Sequence, residues 1–368
     1  MEKKITHKKS YKFLYQSLIF NSIYLQLESL NMKKNILVTG GAGYIGSHTL
    51  VELIEAGYHV IVVDNLSATD GSLIKGVEII THQKIEHYNV DVCDEKAFRE
   101  VIKTNEPISA VIHFAAYKSV NESVEQPLKY YSNNLQGMLN VLKMMNEFSI
   151  PQLVFSSSCS VYGQPDQLPV TELSPLKQPQ SPYANSKKIC EEIIRDFCHV
   201  NPDVNVISLR YFNPIGAHSS AMIGELPNGV PNNLVPYLTQ TAAGIRNVLR
   251  VFGTDYNTSD GSCIRDFIHV SDLAYAHVKA LEYLPESSPE IFNIGTGQGV
   301  SVLQLIDKFY DATGIKLPVE KTDRRQGDVE KVWADASKAI KLLKWEPKKT
   351  LNEALLSAWN WEKKIRNL

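Results

Sequence analysis

The sequence predicts an α/β protein in which a doubly wound parallel sheet is joined to a smaller C-terminal α/β lobe. From residue 35 onward, short apolar and β-branched runs alternate with helical patterns. Strands that are apolar throughout are typical of a parallel sheet covered by helices on both faces. After about Asn213 this alternation stops, and proline and glycine become frequent. We therefore expect an N-terminal extension at 1–31, a first domain at 32–212 and a second at 213–368.

The five predicted strands are short apolar runs bounded by turns or helical patterns. They lie, in chain order, at residues 35–39, 60–63, 110–114, 152–156 and 204–209. The segments between them carry helical patterns at 45–56, around 95–103, at 128–148 and at 182–199. A helix between two consecutive strands lets them run parallel in one sheet, so this order of elements predicts the doubly wound arrangement.

Composition limits the function classes open to this chain of 368 residues. A net charge of −2 offers no basic surface for nucleic acid or for acidic lipids, so we expect neither partner. The five cysteines form no C-x-x-C pair, which indicates neither a disulfide framework nor a metal site and fits a reducing cytoplasm.

Residues 1–31 lack the roughly 18 consecutive apolar residues of a membrane helix. We interpret them as an extension, disordered or read from an upstream start codon, because Met32 stands just before the first strand.

The turn after the first predicted strand is rich in glycine and reads GGAGYIG at residues 40–46. Gly41, Gly43 and Gly46 fit the spacing G-x-G-x-x-G, and Gly40, Gly43 and Gly46 fit G-x-x-G-x-x-G. Glycine allows a tight turn and lets backbone N–H groups approach a pyrophosphate, which the positive end of the following helix then faces. The strand, turn and helix together predict a dinucleotide site of the Rossmann type.

Asp64 ends the second predicted strand, 21 residues after Gly43. A carboxylate at this position accepts hydrogen bonds from the hydroxyls of the adenosine ribose. It would repel a 2′-phosphate, and residues 65–72 contain no arginine or lysine to compensate. The sequence therefore predicts NAD rather than NADP.

Tyr183 and Lys187 stand four residues apart near the start of a predicted helix, and so on one face of it. A phenol with its ordinary pKa near 10 is a poor base at neutral pH. We expect the Lys187 ammonium and a cationic nicotinamide ring to lower that pKa. Tyr183 could then take a proton from a substrate hydroxyl while a hydride leaves the same carbon.

Two further observations bear on this pair. Ser158 closes a predicted strand, where catalytic groups collect in such folds, and its hydroxyl can bridge the tyrosine and a substrate oxygen. Tyr275 and Lys279 repeat the same spacing inside an amphipathic helical pattern. We interpret that second pair as a core tyrosine and a solvated lysine, so spacing alone does not identify the catalytic pair.

From about Lys34 to its end, the chain resembles the extended short-chain dehydrogenases and, more narrowly, the UDP-galactose (UDP-glucose) 4-epimerase family. The resemblance rests on eight blocks in the family's order. They are residues 40–48 (GGAGYIGSH), 111–118 (VIHFAAYK), 156–163 (SSSCSVYG), 209–217 (LRYFNPIGA), 231–236 (PNNLVP), 265–272 (RDFIHVSD), 293–297 (NIGTG) and 333–338 (WADASK). The resemblance implies an NAD-binding domain, a C-terminal nucleotide-sugar domain, and reversible epimerisation at C4 of UDP-glucose and UDP-galactose through a 4-keto sugar. NAD would act as a bound prosthetic group.

The resemblance also implies roles for individual residues. On the cofactor side it implies Gly40, Gly43, Tyr44, Ile45 and Gly46 at the pyrophosphate; Asp64, Asn65, Leu66, Ser67, Ala68 and Thr69 at the adenosine ribose; Asp91 and Val92 at the adenine; and Phe114, Ala115, Ala116, Tyr117, Lys118, Asn133 and Phe212 toward the nicotinamide. On the substrate side it implies Asn213, Asn233, Leu234, Arg265, Arg325 and Asp328, with Phe252 near the uracil. It further implies a homodimer formed through the helices near 128–148 and 183–199.

Val332 departs from the family pattern, because bacterial relatives often carry tyrosine just before the WADASK block. In the family a tyrosine there restricts the room beside C2 of the sugar. Valine therefore predicts that N-acetylated UDP-sugars are accepted too, unless another side chain narrows the pocket.

Other functions stay open at this point. A nucleotide-sugar dehydratase shares the fold, NAD and the first oxidation, but such enzymes usually carry Asp-Glu after the strand-end hydroxyl residue, whereas Cys159 and Ser160 follow Ser158 here. A UDP-glucuronate decarboxylase or 4-epimerase is a further alternative. A non-catalytic NAD-sensing or scaffold protein is another, against which the combination of Ser158, Tyr183 and Lys187 argues.

Overall fold

The protein is built around a sheet of seven parallel strands. The computed structural model describes residues 33–325 and 328–368, so the extension predicted at 1–31 lies outside the described residues. The strands are β1 (Asn35–Thr39), β2 (His59–Val63), β3 (Glu86–Tyr88), β4 (Ala110–His113), β5 (Gln152–Ser158), β6 (Asn205–Tyr211), β7 (Asn213–Ile215), β8 (Leu249–Phe252), β9 (Ile264–Arg265), β10 (Phe267–His269), β11 (Glu290–Ile294), β12 (Val300–Ser301), β13 (Val319–Thr322) and β14 (Lys331–Val332). The large sheet has the order β11-β6-β5-β4-β1-β2-β3, and all its pairs are parallel. The predicted fold class is confirmed.

Helices cover both faces of this sheet. They are α1 (Tyr44–Glu55), α2 (Ser72–Thr81), α3 (Glu95–Thr104), α4 (Val120–Glu125), α5 (Pro127–Glu147), α6 (Pro182–Val200), α7 (Leu234–Ala242), α8 (Val270–Glu282), α9 (Val302–Thr313), α10 (Ser337–Leu342) and α11 (Leu351–Arg366). Among the helices of the described residues, none is both long enough and apolar enough to cross a membrane.

Side chains of successive residues in a strand point to opposite faces of the sheet because the strand is pleated. Ile36 and Val38 of β1 belong to the apolar cluster beneath α1 and α8. Leu37, between them, belongs to the cluster beneath α5 and α6. Both faces of β1 are therefore buried among apolar side chains, which explains why this strand is a continuous hydrophobic run.

The strand order places the ligand-binding edge of the sheet. β1 lies between β2 and β4, so the chain winds away in opposite directions on its two sides. Ligands of open α/β sheets bind in the crevice at such a reversal, outside the carboxyl ends of the strands. The glycine turn after β1 and the segment after β4 therefore face each other there.

The five predicted strands are confirmed as β1, β2, β4, β5 and β6, and the predicted helices as α1, α3, α5 and α6. β3 and α2 were not predicted. β3 is three residues long, half-buried and reads EHY, so it has no apolar run to recognise.

The chain after residue 213 forms small sheets of its own and also adds a strand to the large sheet. It forms three small sheets, β10-β7, β12-β9-β14 and β13-β8, and a third apolar cluster between α7, α9 and α11. It also supplies β11, the edge strand of the large sheet next to β6. Residues 35–368 pack as one unit. The division into domains at 32–212 and 213–368 stays a prediction.

Two helical glycines should respond to alanine with opposite signs. A Cβ on Gly76 of α2 would lie 2.4 Å from the Met222 carbonyl oxygen and 2.5 Å from a methyl group of Ile223. A Cβ on Gly137 of α5 would meet nothing closer than 3.7 Å. We expect Gly76→Ala to lower the free energy of unfolding by about 1–3 kcal/mol through overpacking. Gly137→Ala should raise it by up to about 1 kcal/mol, because alanine favours the helix.

Urea unfolding of both variants beside the unmodified protein measures these changes. Two changes of the same sign would contradict the packing around Gly76 described above.

Candidate active site

One cavity of about 450 Å³ opens at the carboxyl ends of the strands. Its walls come from the glycine turn after β1, from the segments that follow β2 to β6, and from the first turns of α6. A second cavity of about 360 Å³ adjoins it on the C-terminal side. The two share Asn213, Asn233, Arg265, Arg325 and Asp328.

The glycine turn is packed too tightly for side chains. Gly40 has a φ of +72°, and a Cβ on it would lie 2.6 Å from the backbone nitrogen of Ala115. A Cβ on Gly46 would lie 2.4 Å from the Gly40 carbonyl oxygen. Gly43 caps α1 without a side-chain hydrogen bond, so the N–H groups of the first helical turn are left for a ligand. This cradle fits the pyrophosphate of a dinucleotide.

The carboxylate of Asp64 is fixed at the far end of the turn. Its Oδ2 accepts a hydrogen bond from the backbone nitrogen of Ala42 at 3.0 Å, and its Oδ1 accepts one from Leu66 at 2.9 Å. Burial raises the pKa of Asp64, and these two donors oppose the increase. Next to it, Asn65 donates to Asp91 at 2.9 Å. Two carboxylates with no basic side chain between them suit ribose hydroxyls and oppose a 2′-phosphate, so the residues present fit NAD.

Tyr183 and Lys187 lie in the first two turns of α6. Ser181 caps this helix by accepting a hydrogen bond from Ala184 at 3.2 Å, and a proline follows it at the first helical position. Lys187 is only 4% exposed, and its Nζ donates to the Ser156 carbonyl oxygen at 2.7 Å. The lysine thus holds the start of α6 against the end of β5, where Ser158 lies.

The expected lowering of the Tyr183 pKa by Lys187 is wrong for the protein alone. Burial raises the pKa of Tyr183 to about 12, and a hydrogen bond with Ser158 opposes this increase. Burial also lowers the pKa of Lys187 to about 8. The ammonium is directed at the Ser156 carbonyl oxygen, and loss of water dominates at both groups.

Ser158 is held by its neighbour two residues further on. Its Oγ accepts hydrogen bonds from the backbone nitrogen and the hydroxyl of Ser160, at 3.2 and 2.9 Å. Its own proton stays available for donation. The short helix after Ser158 begins with Cys159 and brings no carboxylate to this position.

The C-terminal end of the cavity carries two arginines that share one carboxylate. Arg325 donates to both oxygens of Asp328, at 2.8 and 3.2 Å, and Nη2 of Arg265 lies 3.8 Å from Oδ1. The Arg325 guanidinium lies 5.7 Å from the ring centre of Phe252. Asn213 has a buried Oδ1 with no hydrogen-bond partner among the described residues. Paired guanidinium groups of this kind suit a diphosphate.

Most residues predicted from the sequence meet at these two cavities. From the cofactor and catalytic predictions, the first cavity is lined by Gly40, Gly43, Tyr44, Ile45, Gly46, Asp64, Asn65, Ser67, Ala68, Thr69, Asp91, Val92, Phe114, Ala115, Ala116, Tyr117, Lys118, Asn133, Ser158, Tyr183, Lys187 and Phe212. From the substrate predictions, Asn213, Asn233, Arg265, Arg325, Asp328 and Val332 line the first cavity, and Leu234 and Phe252 line the second. The individual roles stay predictions.

Leu66 is the exception. Its φ of 55° is unusual for leucine, and its side chain packs against the core beneath α1. Leu66 contributes to the site only through its backbone nitrogen, which donates a hydrogen bond to Asp64. The second tyrosine–lysine pair, Tyr275 and Lys279, lines neither cavity, and Lys279 pairs with Glu282.

Sequence reasoning missed Tyr211 and Ser156. Both line the first cavity, and their hydroxyls form a short hydrogen bond at the ends of neighbouring strands β5 and β6. Tyr211 stands directly before Phe212 in one of the eight sequence blocks, so its position at a strand end could have identified it.

Comparisons with known proteins agree with this geometry. The NAD dependent epimerase/dehydratase family matches residues 36–295. A UDP-glucose 4-epimerase of Dictyostelium discoideum is 49% identical over 329 residues, covering 89% of this chain and 95% of the relative. A UDP-glucose 4-epimerase of Bacillus subtilis is 47% identical over 328 residues, covering 89% and 96%.

A solved structure shows the same fold with ligands bound. The UDP-glucose 4-epimerase of Bifidobacterium longum, crystallised with NAD+ and UDP, superposes with a TM-score of 0.88 at 42% identity, covering 91% of this chain and 99% of that one. On its sequence, its fold and its site, the chain belongs to the NAD dependent epimerase/dehydratase family, in the branch of the UDP-glucose 4-epimerases.

Proposed function

We propose that this protein is an isomerase of galactose metabolism that interconverts UDP-glucose and UDP-galactose by reversible epimerisation at C4 of the sugar. One observation carries the proposal. Ser158, Tyr183 and Lys187 line the same cavity as the glycine turn at 40–46 and the arginines Arg265 and Arg325. The relatives named above, which are UDP-glucose 4-epimerases, support it.

The dinucleotide cradle holds NAD in this proposal. The turn at 40–46 binds the pyrophosphate, and Asp64 binds the adenosine ribose. NAD supplies a hydride acceptor that later returns the hydride, so it is not consumed, and its oxidised ring supplies a positive charge that favours the phenolate. Lys118 and Asn133 line the remaining wall of the cofactor end.

Tyr183 carries the proton. As phenolate it takes the proton of the C4 hydroxyl, and it returns a proton to the C4 oxygen of the 4-keto sugar in the second half of the reaction. Ser158 bridges the two oxygens, since it has a free donor and lines the same cavity as Tyr183. Lys187 fixes the distance between them by holding α6 to β5.

The nucleotide end stays anchored while the sugar turns. Arg265 and Arg325 hold the diphosphate, and the 4-keto sugar rotates about the diphosphate link to present its other face. Because Tyr183 and Ser158 are held in place by secondary structure, the rotating part must be the ligand. The missing carboxylate after Ser158 agrees with epimerisation rather than dehydration.

A homodimer is part of the proposal. The predicted interface helices correspond to α5 and α6, which pack side by side. Leu128 at the start of α5 is 78% exposed, and Val124 just before it is 51% exposed. Burial of such apolar side chains favours association. Light scattering of the purified protein tests this, and a monomeric mass would contradict it.

A cytoplasmic location also fits. The five cysteines are free thiols, and a reducing compartment keeps thiols in this form. Cell fractionation with an antibody against the protein tests this, and recovery in an oxidising compartment would contradict it.

Tyr183→Phe should abolish turnover. Loss of the phenol oxygen removes the group that moves the proton, and general acid–base groups typically contribute a factor of about 10²–10⁴. The measurement is formation of UDP-glucose from UDP-galactose. Tyr275→Phe is the matched control, because it has the same lysine spacing outside the cavities and should leave turnover unchanged. A Tyr183→Phe variant that keeps most of the activity would refute the proposed role.

Lys187→Met should stabilise the protein without ligands, and the gain should depend on pH. Burial lowers the pKa of Lys187 from 10.5 to about 8, so between these values the unfolded chain binds more protons than the folded one. The unmodified protein therefore gains stability as pH rises through this range. Below pH 8 the free energy of unfolding of Lys187→Met should exceed that of the unmodified protein by about 1–3 kcal/mol. This difference should disappear as the pH rises toward 10.5.

Urea unfolding at pH 7 and at pH 10 measures this difference. Lys188→Met, on the next, half-buried residue of α6, is the control and should show no such pH dependence. An equal gain at both pH values for Lys187→Met would contradict burial of a charged amine.

Val332 supports a second activity, on UDP-GlcNAc and UDP-GalNAc. The side chain is buried in the wall of the first cavity, where a larger residue would take up space. A relative at 38% identity is the UDP-Glc/GlcNAc 4-epimerase of Campylobacter jejuni. We expect the unmodified protein to turn over UDP-GlcNAc, and Val332→Tyr to lose this activity while it keeps activity on UDP-galactose. Absence of UDP-GlcNAc turnover at high concentration would show that another side chain narrows the pocket.

A further inference from the structure

Glu225 stands just behind the cavity wall and contacts two residues that form it. Its side chain is only 11% exposed. Its Oε1 accepts a hydrogen bond from Nδ2 of Asn233 at 2.6 Å and lies 3.3 Å from Nζ of Lys118. Lys118 follows β4 on the cofactor side, whereas Asn233 caps α7 on the sugar-nucleotide side. One carboxylate oxygen therefore joins the two ends of the cavity.

Contacts from Tyr44 and from Trp361 fix the backbone near Glu225. The hydroxyl of Tyr44, on α1, donates to the Gly216 carbonyl oxygen at 2.6 Å. Gly224 lies flat on the indole of Trp361, where a Cβ would meet ring carbon Cγ at 2.5 Å. The indole nitrogen of Trp361 donates to the Glu225 carbonyl oxygen at 2.9 Å. The carboxylate is thus presented by a rigid segment.

The chemistry of the contact fixes the orientation of both partners. A carboxylate can only accept hydrogen bonds, so the amide of Asn233 must turn its NH₂ group toward Glu225. Its carbonyl oxygen is then free to accept from a hydroxyl. The Lys118 side chain is 62% exposed and would otherwise sample many rotamers, whose loss on binding costs free energy.

The same two segments are joined at a second point. Asn232 donates through Nδ2 to the hydroxyl of Ser119 at 3.2 Å. Residues 118–119 and 232–233 are therefore joined twice, directly by this hydrogen bond and indirectly through the carboxylate of Glu225.

We propose that Glu225 is a positioning residue, which orders Lys118 and Asn233 before the sugar nucleotide binds and so joins the two ends of the cavity. The proposal rests on the proposed function for its substrate. Glu225 acts through its two partners, so its loss should raise KM for UDP-galactose more than it lowers kcat.

Two variants separate the two contacts. Glu225→Gln keeps an acceptor for Asn233 but loses the charge that holds Lys118, and we expect kcat/KM to fall about tenfold, mainly through KM. Glu225→Met loses both contacts and should cost more. UDP affinity, measured by calorimetry, should weaken in the same order. Glu147→Gln breaks a comparable pair with Arg99, 2.9 Å apart on the surface, and should change none of these values.

A double variant tests whether Glu225 and Lys118 act together. In the variant that combines Glu225→Gln with Lys118→Met, the loss should be no greater than in Lys118→Met alone, because the two changes remove one interaction. Additive losses would overturn the proposal. A lower KM in Glu225→Gln would overturn it too, since it would mean that the carboxylate only repels the anionic ligand.

A merely structural role is distinguished by stability. A fall in UDP affinity that follows the fall in the thermal midpoint across the variants would overturn the proposal, whereas weaker binding at an unchanged midpoint supports it. If the unmodified protein fails to turn over UDP-galactose, the proposed function is wrong. The calorimetric comparison with UDP still decides the role of Glu225 in that case.

Discussion

The hydrogen bond from Nζ of Lys187 to the Ser156 carbonyl oxygen holds together the groups to which we assign the proton transfer. It joins the second turn of α6 to the end of β5. Tyr183 lies one turn earlier on the same helical face, and Ser158 lies two residues further along the strand, on the same side of it as Ser156. One contact therefore brings the phenol to the serine. The amine has lost its water to make this contact, which is why its pKa falls to about 8.

A second group of contacts, buried in the core, joins α6 to β5 and to the neighbouring strand β6. Arg210 of β6 donates through Nε and Nη2 to the two carboxylate oxygens of Glu191, at 2.9 and 2.6 Å, and the hydroxyl of Ser157 donates to the same carboxylate at 2.6 Å. A buried ion pair adds little net stability compared with apolar packing. Its donors and acceptors fit in only one arrangement, however, so it fixes the register of α6 against β5 and β6. The position of Tyr183 is fixed in this way at the free-energy cost of burying charged groups in the core.

The sequence predicted those features that depend on local structure. The glycine spacing follows from steric limits within one turn, and the strands of the large sheet follow from their apolar runs. The direction of the Tyr183 pKa shift in the protein alone was wrong because desolvation depends on the whole surrounding fold. Leu66 lies away from the cavity because a positive φ turns its side chain into the core. Glu225 was missed for a similar reason, because its partner Lys118 is distant in the chain.

The distribution of charge along the cavity explains how one site can serve both sugars. In the proposed function the nucleotide end is held by charge-assisted contacts from Arg265 and Arg325, which are already ordered around Asp328. The middle of the cavity offers hydroxyl groups and the buried side chain of Val332 instead, and the amine of Lys187 there is already bonded to the Ser156 carbonyl oxygen. We expect that strong contacts to the diphosphate and weaker ones to the sugar would let the sugar turn while the diphosphate stays bound. A cavity with charged groups around the sugar would bind one face too firmly to allow the reverse reaction.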